Sequence, residues 1–287
     1  MTNETDRGAV VITGASTGIG KACALRLDRL GFRVFAGVRR EQDGAALRAE
    51  ASERLSPLHI DVTEQRSIDD AAETVTTALG GGLAGLVNNA GIGVGGPLEF
   101  LALDRIREQF EVNLFGQIAV TQAFLALIRK GQGRIVNMGS IAGRVAGPII
   151  GPYSASKFAL EAVTDSLRLE LTPWKIHVCI VEPGNIDTPI WGKARDMVDR
   201  MDEEFSEEAL ALYGPILEQM RGWVESSAQA GIDADEVAKA VEHALTAKRP
   251  KTRYLVGNDA KQQAFIARWL PDRMRNWLIR RELGIQD

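Results

Sequence analysis

The chain has 287 residues, 45% hydrophobic and 25% charged, with 34 Lys and Arg against 38 Asp and Glu for a net charge of −4. That length and balance suit a chain with a sizeable buried core and exclude a disordered one, and the pI near 5.6 argues against a nucleic-acid-binding surface. The polar start, MTNETDRG, lacks a secretory apolar stretch and no window reads as a membrane span, so the expectation is a cytoplasmic protein.

Strands are predicted near 9–13, 32–38, 56–60, 84–89, 133–139, 175–182 and 252–256, and helices near 18–30, 41–52, 64–79, 103–130, 152–171 and 233–247. Such alternation builds a Rossmann-type, doubly wound, seven-stranded parallel α/β sheet with helices on both faces and right-handed crossovers. Ligands of such sheets bind beyond the carboxyl ends of the strands. Residues 190–232 interrupt the alternation with Trp191, Met197, Met201, Met220 and Trp223 among many charges, and read as an inserted helical lid. Residues 258–287 form a helical extension of what is read as one domain spanning 1–287. Cys23 and Cys179 fall in buried-looking elements and read as inert thiols of a reducing compartment. Neither cysteine has a His in metal-ligand spacing, and His59, His177 and His243 are scattered, so no metal site is expected.

The motifs gather at the strand ends. Thr13-Gly14-Ala15-Ser16-Thr17-Gly18-Ile19-Gly20 joins a buried strand to an amphipathic helix. Glycines there let the backbone turn tightly against a pyrophosphate at the positive helix end. Tyr153 precedes Lys157 by four residues, placing both on one helix face, and Ser140 lies thirteen residues upstream. A fixed cation favours the phenolate over the phenol and moves Tyr153 toward working pH. Pro152 suits the first turn of that helix.

Together TGASTGIG (13–20), NNAG (88–91), Asn113, Ser140, YSASK (153–157) and PGNIDT (183–188) resemble the single-domain short-chain dehydrogenase/reductase family over roughly residues 8 to 190. The run YSASKFALEAVTDSLRLEL and RYLVG (253–257) further resemble its retinol and hydroxysteroid dehydrogenase branch. The resemblance implies that Tyr153 exchanges a proton with a substrate oxygen that Ser140 also hydrogen-bonds, and that Lys157 holds the nicotinamide ribose. It makes Asn113 the anchor of a water relay from Lys157. It assigns Asp61 and Val62 to the adenine, Asn89, Ala90 and Gly91 to the ribose side, and Pro183, Gly184, Ile186 and Thr188 to the nicotinamide end. Read as residues alone, the alternative for Asn113 is an exposed polar position in a helix, against which the otherwise apolar stretch before Gly116 argues.

At the end of the second predicted strand, where an acidic residue would mark NAD, stand Val38, Arg39 and Arg40. A guanidinium grips a 2′-phosphate, so NADP(H) is favoured and NAD(H) remains open. The expected substrate wall is Ile92, Val94, Ala142, Ile149 and Trp191, beside Ser140 and Tyr153, with no converging cation for a carboxylate. The function expected is therefore NADP(H)-dependent interconversion of a hydrophobic secondary alcohol and a ketone or aldehyde. Alternatives are the same reaction with NAD, or a non-catalytic nucleotide sensor, against which the joint presence of Ser140, Tyr153 and Lys157 argues. An epimerase would need a larger substrate domain than the residues after 190 offer.

Apolar positions beyond one stripe on the two long helices (Phe110, Leu114, Phe124 and Leu127; Phe158, Val163, Leu167 and Leu169) predict a homodimer or homotetramer. The tail 265–284 splits at Pro271 into two helices, the second mixing Met274, Trp277, Leu278 and Ile279 with Arg273, Arg275, Arg280 and Arg281. It is expected to close the substrate end of its own or a neighbouring subunit, with weak peripheral membrane contact as the other reading and no stable anchor.

Overall fold

The computed structural model describes residues 7–282 and 284; the polar start over residues 1–6 and the tail's last residues, 285–287, lie outside the described residues. Seven strands form one parallel sheet in the order β3-β2-β1-β4-β5-β6-β9: β1 (Ala9–Ile12), β2 (Arg33–Val38), β3 (Leu55–His59), β4 (Gly85–Asn88), β5 (Arg134–Met138), β6 (His177–Pro183) and β9 (Arg253–Val256). The order reverses at β1 and β4, so their carboxyl ends flank a crevice between diverging crossovers.

Period-two alternation divides the core between the two faces. Val10 and Ile12 of β1 pack toward α1 (Gly18–Arg29), α2 (Glu41–Ala49) and α9 (Ala234–Thr246), where Leu27, Leu47 and Val241 are buried. Ala9 and Val11 face α3 (Gln65–Leu79) and α5 (Gly116–Gly131), meeting Ile68, Val75, Val120, Phe124 and Ile128. The predicted 103–130 helix is α4 (Leu103–Phe110), one wide π-turn at Glu111–Phe115, and α5. Contrary to the sequence reading, this 29-residue run is long and apolar enough to cross a membrane, with a mean hydropathy of 1.4 over its best window. Part of it is spent on the sheet: 44% of that window is buried, with Phe124 and Ile128 fully so.

The 190–232 segment is two helices, α7 (Ile190–Glu204) and α8 (Glu207–Gln229), closed by a two-residue parallel ladder between β7 (Ile186–Asp187) and β8 (Ile232–Asp233). Met197, Met201, Leu217, Met220 and Trp223 of these helices form one apolar cluster with Ile149, which precedes α6 (Gly151–Glu170). The expected lid is therefore packed against the start of the helix that carries Tyr153 and Lys157.

Pro271 divides the tail into α10 (Asn258–Trp269) and α11 (Asp272–Glu282). In α10, Ala260 and Ala264, which precede the 265–284 tail of the sequence reading, pack on Ile141, next to Ser140. Within the 265–284 tail, Phe265, Trp269, Met274 and Trp277 are exposed in this chain. The set read as a subunit interface also divides. Leu114, Phe124 and Leu127 are buried in this chain's own core, while Phe158 and Leu169 stay exposed, as do Phe115 and Trp174.

Candidate active site

The glycine turn has the backbone its sequence requires. Gly14 (φ +66°) and Gly18 (φ +54°) occupy left-handed conformations, and a Cβ added at Gly20 would lie 2.1 Å from the Gly14 carbonyl oxygen. The turn is fastened to the end of β4 by Thr13, whose hydroxyl accepts from the amides of Asn89 and Ala90, both at 3.0 Å. Asn89 returns the contact, its Nδ2 donating to the Thr13 and Gly14 carbonyls at 3.0 Å. Thr188 faces the same turn, within 3.2 Å of where a Gly18 side chain would begin. Gly14, Ser16, Thr17, Gly18, Ile19 and Gly20 thus meet Asn89, Ala90 and Thr188 at one end of the sheet, a cradle that only backbone-lean residues leave open and that fits a dinucleotide.

The two arginines after β2 diverge. Arg40 is held by its own helix, donating from Nε and Nη2 to Asp43 at 2.8 and 3.0 Å. Arg39 has a 70% exposed side chain with its guanidinium 4.0 Å from Asp61, which leaves it the freer of the two to meet a phosphate. Burial pushes the Asp61 carboxyl up, but hydrogen bonds from the Thr63 amide and hydroxyl, with Arg39 nearby, hold it below the usual carboxylate range. Val38 and Val62 are buried beside them.

At the neighbouring strand end, Ser140 caps a short 3₁₀ turn at Ile141–Gly143, its hydroxyl accepting from the Ala142 amide at 3.1 Å. The same hydroxyl acts on the Tyr153 phenol, opposing the rise that burial imposes on it. Lys157 is buried, donates to the Met138 carbonyl at 2.7 Å and stands 5.9 Å from the Tyr153 ring centroid. Tyr153 departs from the sequence expectation, because burial raises its pKa and the nearby Ser140 hydroxyl only partly offsets that. The ammonium that was to lower it is itself weakened, as burial pulls Lys157 down to about 8 against the opposing charge of Glu161. In the chain by itself Tyr153 is therefore a phenol, a proton donor rather than an acceptor.

Asn113 is fully buried, on the π-turn, which settles its sequence ambiguity against the exposed reading. Its Oδ1 accepts from the Ile92 amide at 2.8 Å, and its Nδ2 donates to the Ile92 carbonyl at 3.0 Å and the Ser156 hydroxyl at 3.3 Å. Gln109, one helical turn earlier, was missed by the sequence reading. It is fully buried, accepts from the Val94 amide at 2.6 Å and donates to the Ile92 carbonyl at 2.9 Å. The signal was its four-residue spacing from Asn113. Asp259 was missed as well: its carboxylate accepts from the Asn185 amide at 2.6 Å, bracing the 183–188 loop, and Gly184 leaves it room.

The expected substrate wall comes together in part. Ile92, Val94, Ala142 and Ile149 belong to the loops around Ser140 and Tyr153, with all but Ile92 buried. Ile149 adopts φ +66°, which a β-branched residue reaches only under strain, and its carbonyl accepts from the Gly96 amide at 2.8 Å. Trp191 turns toward the lid, donating to the Ile186 carbonyl at 2.8 Å and packing edge-on against Trp223. Among the described residues no cluster of His, Cys, Asp and Glu could hold a metal ion. Burial pushes the Cys23 thiol up to about 12 and Cys179 up to about 11, so both are unreactive.

The family model described as short chain dehydrogenase matches residues 8–199. Dehydrogenase/reductase SDR family member 9 of Bos taurus is 38% identical, over 97% of this chain and 89% of that protein. NADPH-dependent 3-dehydrocapnine reductase of Ornithobacterium rhinotracheale is 34% identical, over 95% and 96%. Retinol dehydrogenase 5 of Mus musculus is 35% identical, over 95% and 89%. A crystal structure of a short-chain dehydrogenase from Streptomyces avermitilis superposes with a TM-score of 0.77 at 28% identity, covering 98% of this chain and 97% of that one. One from Burkholderia cenocepacia, in complex with NADP, gives 0.72 at 26%, covering 98% and 99%. With its glycine cradle and its Ser140, Tyr153 and Lys157 around one strand end, the chain belongs to the short-chain dehydrogenase/reductase family, in the branch of the retinol and hydroxysteroid dehydrogenases, and is an NAD(P)-dependent oxidoreductase acting on alcohol and carbonyl groups.

Proposed function

We propose that the protein is an NADP(H)-dependent oxidoreductase that interconverts a hydrophobic secondary alcohol and its ketone, with Tyr153 as the general acid and base. The observation that carries this reading is the Tyr153 phenol under the influence of Ser140, with the buried Lys157 ammonium 5.9 Å from its ring centroid. When bound, the nicotinamide supplies or accepts the hydride. Ser140 and Tyr153 orient the substrate oxygen by hydrogen bonding. In reduction the Tyr153 phenol, protonated in its buried setting, donates its proton to the oxygen as negative charge develops there. In oxidation the Lys157 ammonium favours the phenolate that accepts the proton.

NADP(H) is supported by Val38, where an acid would repel a phosphate, and by exposed Arg39 at the rim of the adenine end. The apolar substrate is supported by Val94, Ala142 and Ile149 and by the methionine-rich helices packed against Ile149. A panel of apolar and polar ketones, assayed with each cofactor, tests the reading. Higher kcat/KM for apolar ketones with NADPH is expected. Preference for NADH would return the cofactor to NAD, and preference for carboxylated ketones would overturn the substrate class. Nucleotide binding with no turnover of any carbonyl would favour a sensor.

The protein is further read as a cytoplasmic homodimer or homotetramer, supported by Phe115, Phe158 and Leu169 exposed on the two long helices. A monomeric mass by light scattering at micromolar concentration would overturn the oligomer.

A further inference from the structure

Along α6 beyond Lys157 lies a partly buried ion cluster, centred on buried Glu182 and the largely buried Glu161, that the reaction as described does not use. Glu161 follows Lys157 by one helical turn as Lys157 follows Tyr153, so the three occupy successive i, i+4 positions of one helix. The Glu161 side chain is only 13% exposed, and its Oε2 accepts from Arg253 Nε at 3.1 Å, with Nη2 at 3.0 Å, while Oε1 has no hydrogen-bond partner. Arg253, on β9, also binds Asp165, with its Nη2 donating to the two carboxylate oxygens at 2.8 and 2.6 Å, and its Nε lies 3.5 Å from Glu182. Glu182, on β6 immediately before Pro183, is fully buried and accepts from Arg144 at 2.9 Å. Arg144 directly follows the Ser140 turn, and that turn touches α6 closely: a Cβ on Gly143 would lie 3.0 Å from the Lys157 carbonyl oxygen and 3.4 Å from Glu161 Cγ.

Charge explains why such a cluster belongs here. Glu161, Asp165 and Glu182 are matched by Arg144, Arg168 and Arg253, since Arg168 also pairs with Asp165. Lys157 adds one more buried cation, and among the described residues no carboxylate lies within 4 Å of it, its ammonium donating instead to the neutral Met138 carbonyl. A buried ammonium without an opposing charge tends to lose its proton. Glu161 is the carboxylate whose field acts on Lys157, and Arg253 and Arg144 oppose the rise that burial and Glu182 impose on the Glu161 carboxyl.

We propose that Glu161 is a positioning residue of the redox site: held by Arg253, its carboxylate keeps Lys157 an ammonium and, through Glu182 and Arg144, locks the Ser140 turn, the catalytic helix and the strand leading into the 183–188 loop together. This rests on the reading of Lys157 given above, but its test does not need turnover.

In the full chain labelled with ¹⁵N-lysine, the Lys157 Nζ resonance, assigned by its loss in Lys157→Arg, is titrated by NMR. Glu161→Gln should move the Lys157 midpoint down by roughly one pH unit, and Glu161→Asp, which keeps the charge, should restore most of it. The alkaline limb of kcat/KM should move in the same direction. An unmoved Lys157 midpoint in folded Glu161→Gln overturns the proposal. If that variant does not fold, the unaltered protein decides: a Lys157 titration with two inflections shared with the Glu161 carboxyl ¹³C resonance supports the coupling, and a single independent inflection overturns it. Failure of the broader reading looks different, as full turnover in Tyr153→Phe with Lys157 titrating as described.

Discussion

Asn113 grips Ile92 at both ends of its peptide, accepting from its amide at 2.8 Å and donating to its carbonyl at 3.0 Å. One side chain thereby satisfies both main-chain polar groups of a residue in the substrate wall, and Gln109 adds the Val94 amide one helical turn away. The π-turn widens the helix where Asn113 reaches inward. Asn113→Ala would leave buried groups unpaired at about 1–3 kcal/mol each, and kcat/KM should fall tenfold or more. Gln109→Ala should raise the ketone KM several-fold with a smaller change in kcat. Unaltered kinetics in folded Gln109→Ala would remove it from the site.

Tyr153→Phe keeps the ring and deletes the proton. Turnover should fall by about 10²-fold or more, while the Kd for NADPH, measured by fluorescence, stays within a few-fold. Wild-type kcat in this variant would end the assignment of Tyr153 as acid and base.

Arg39→Glu should lower the ratio of kcat/KM for NADPH over NADH by roughly tenfold to a hundredfold, the worth of a charge-assisted hydrogen bond plus repulsion. Arg40→Ala should change it little, since Arg40 is already paired with Asp43 at the start of α2. The reverse ranking would show that Arg40 leaves Asp43 when the cofactor binds.

Lys157 ties stability to pH. Its folded pKa of about 8 lies below the ordinary value of 10.5, so the folded state releases its proton first and the buried charge costs stability at all pH values below about 8. As pH rises from 8 to 10.5 that cost should fade, by about 3 kcal/mol at most. Denaturant unfolding of Lys157→Met, which lacks this titration, is the reference. The difference in stability should move in favour of the unaltered protein across that window, and a flat difference would contradict a buried ammonium.

Asp259→Ala should weaken NADPH binding without unfolding the sheet, because it releases the Asn185 amide at the root of the 183–188 loop. A several-fold rise in Kd with little change in Tm is expected. Equal affinity would limit Asp259 to shaping the start of α10.

The sheet was legible because its strands are short apolar runs bounded by turns, and each of the seven lies within two residues of its expected bounds. Gly14, Gly18 and Gly20 declared the cradle, since only glycine tolerates that backbone, and Ser140, Tyr153 and Lys157 declared the chemistry through residue type and helical spacing. What the sequence could not decide is where long side chains end. Arg39 and Arg40 are identical in type and adjacent, yet one is caught by Asp43 and the other faces solvent. Tyr153 and Lys157 share a face as their spacing requires, but burial, a property of the whole packed chain, raises the phenol and lowers the ammonium. Glu161 and Asp259 were silent for the same reason, and Gln109 offered only its spacing from Asn113: a polar side chain gains its role from a partner 15 to 92 residues away, and only the tertiary structure brings Val94, Arg253 and Asn185 to meet them.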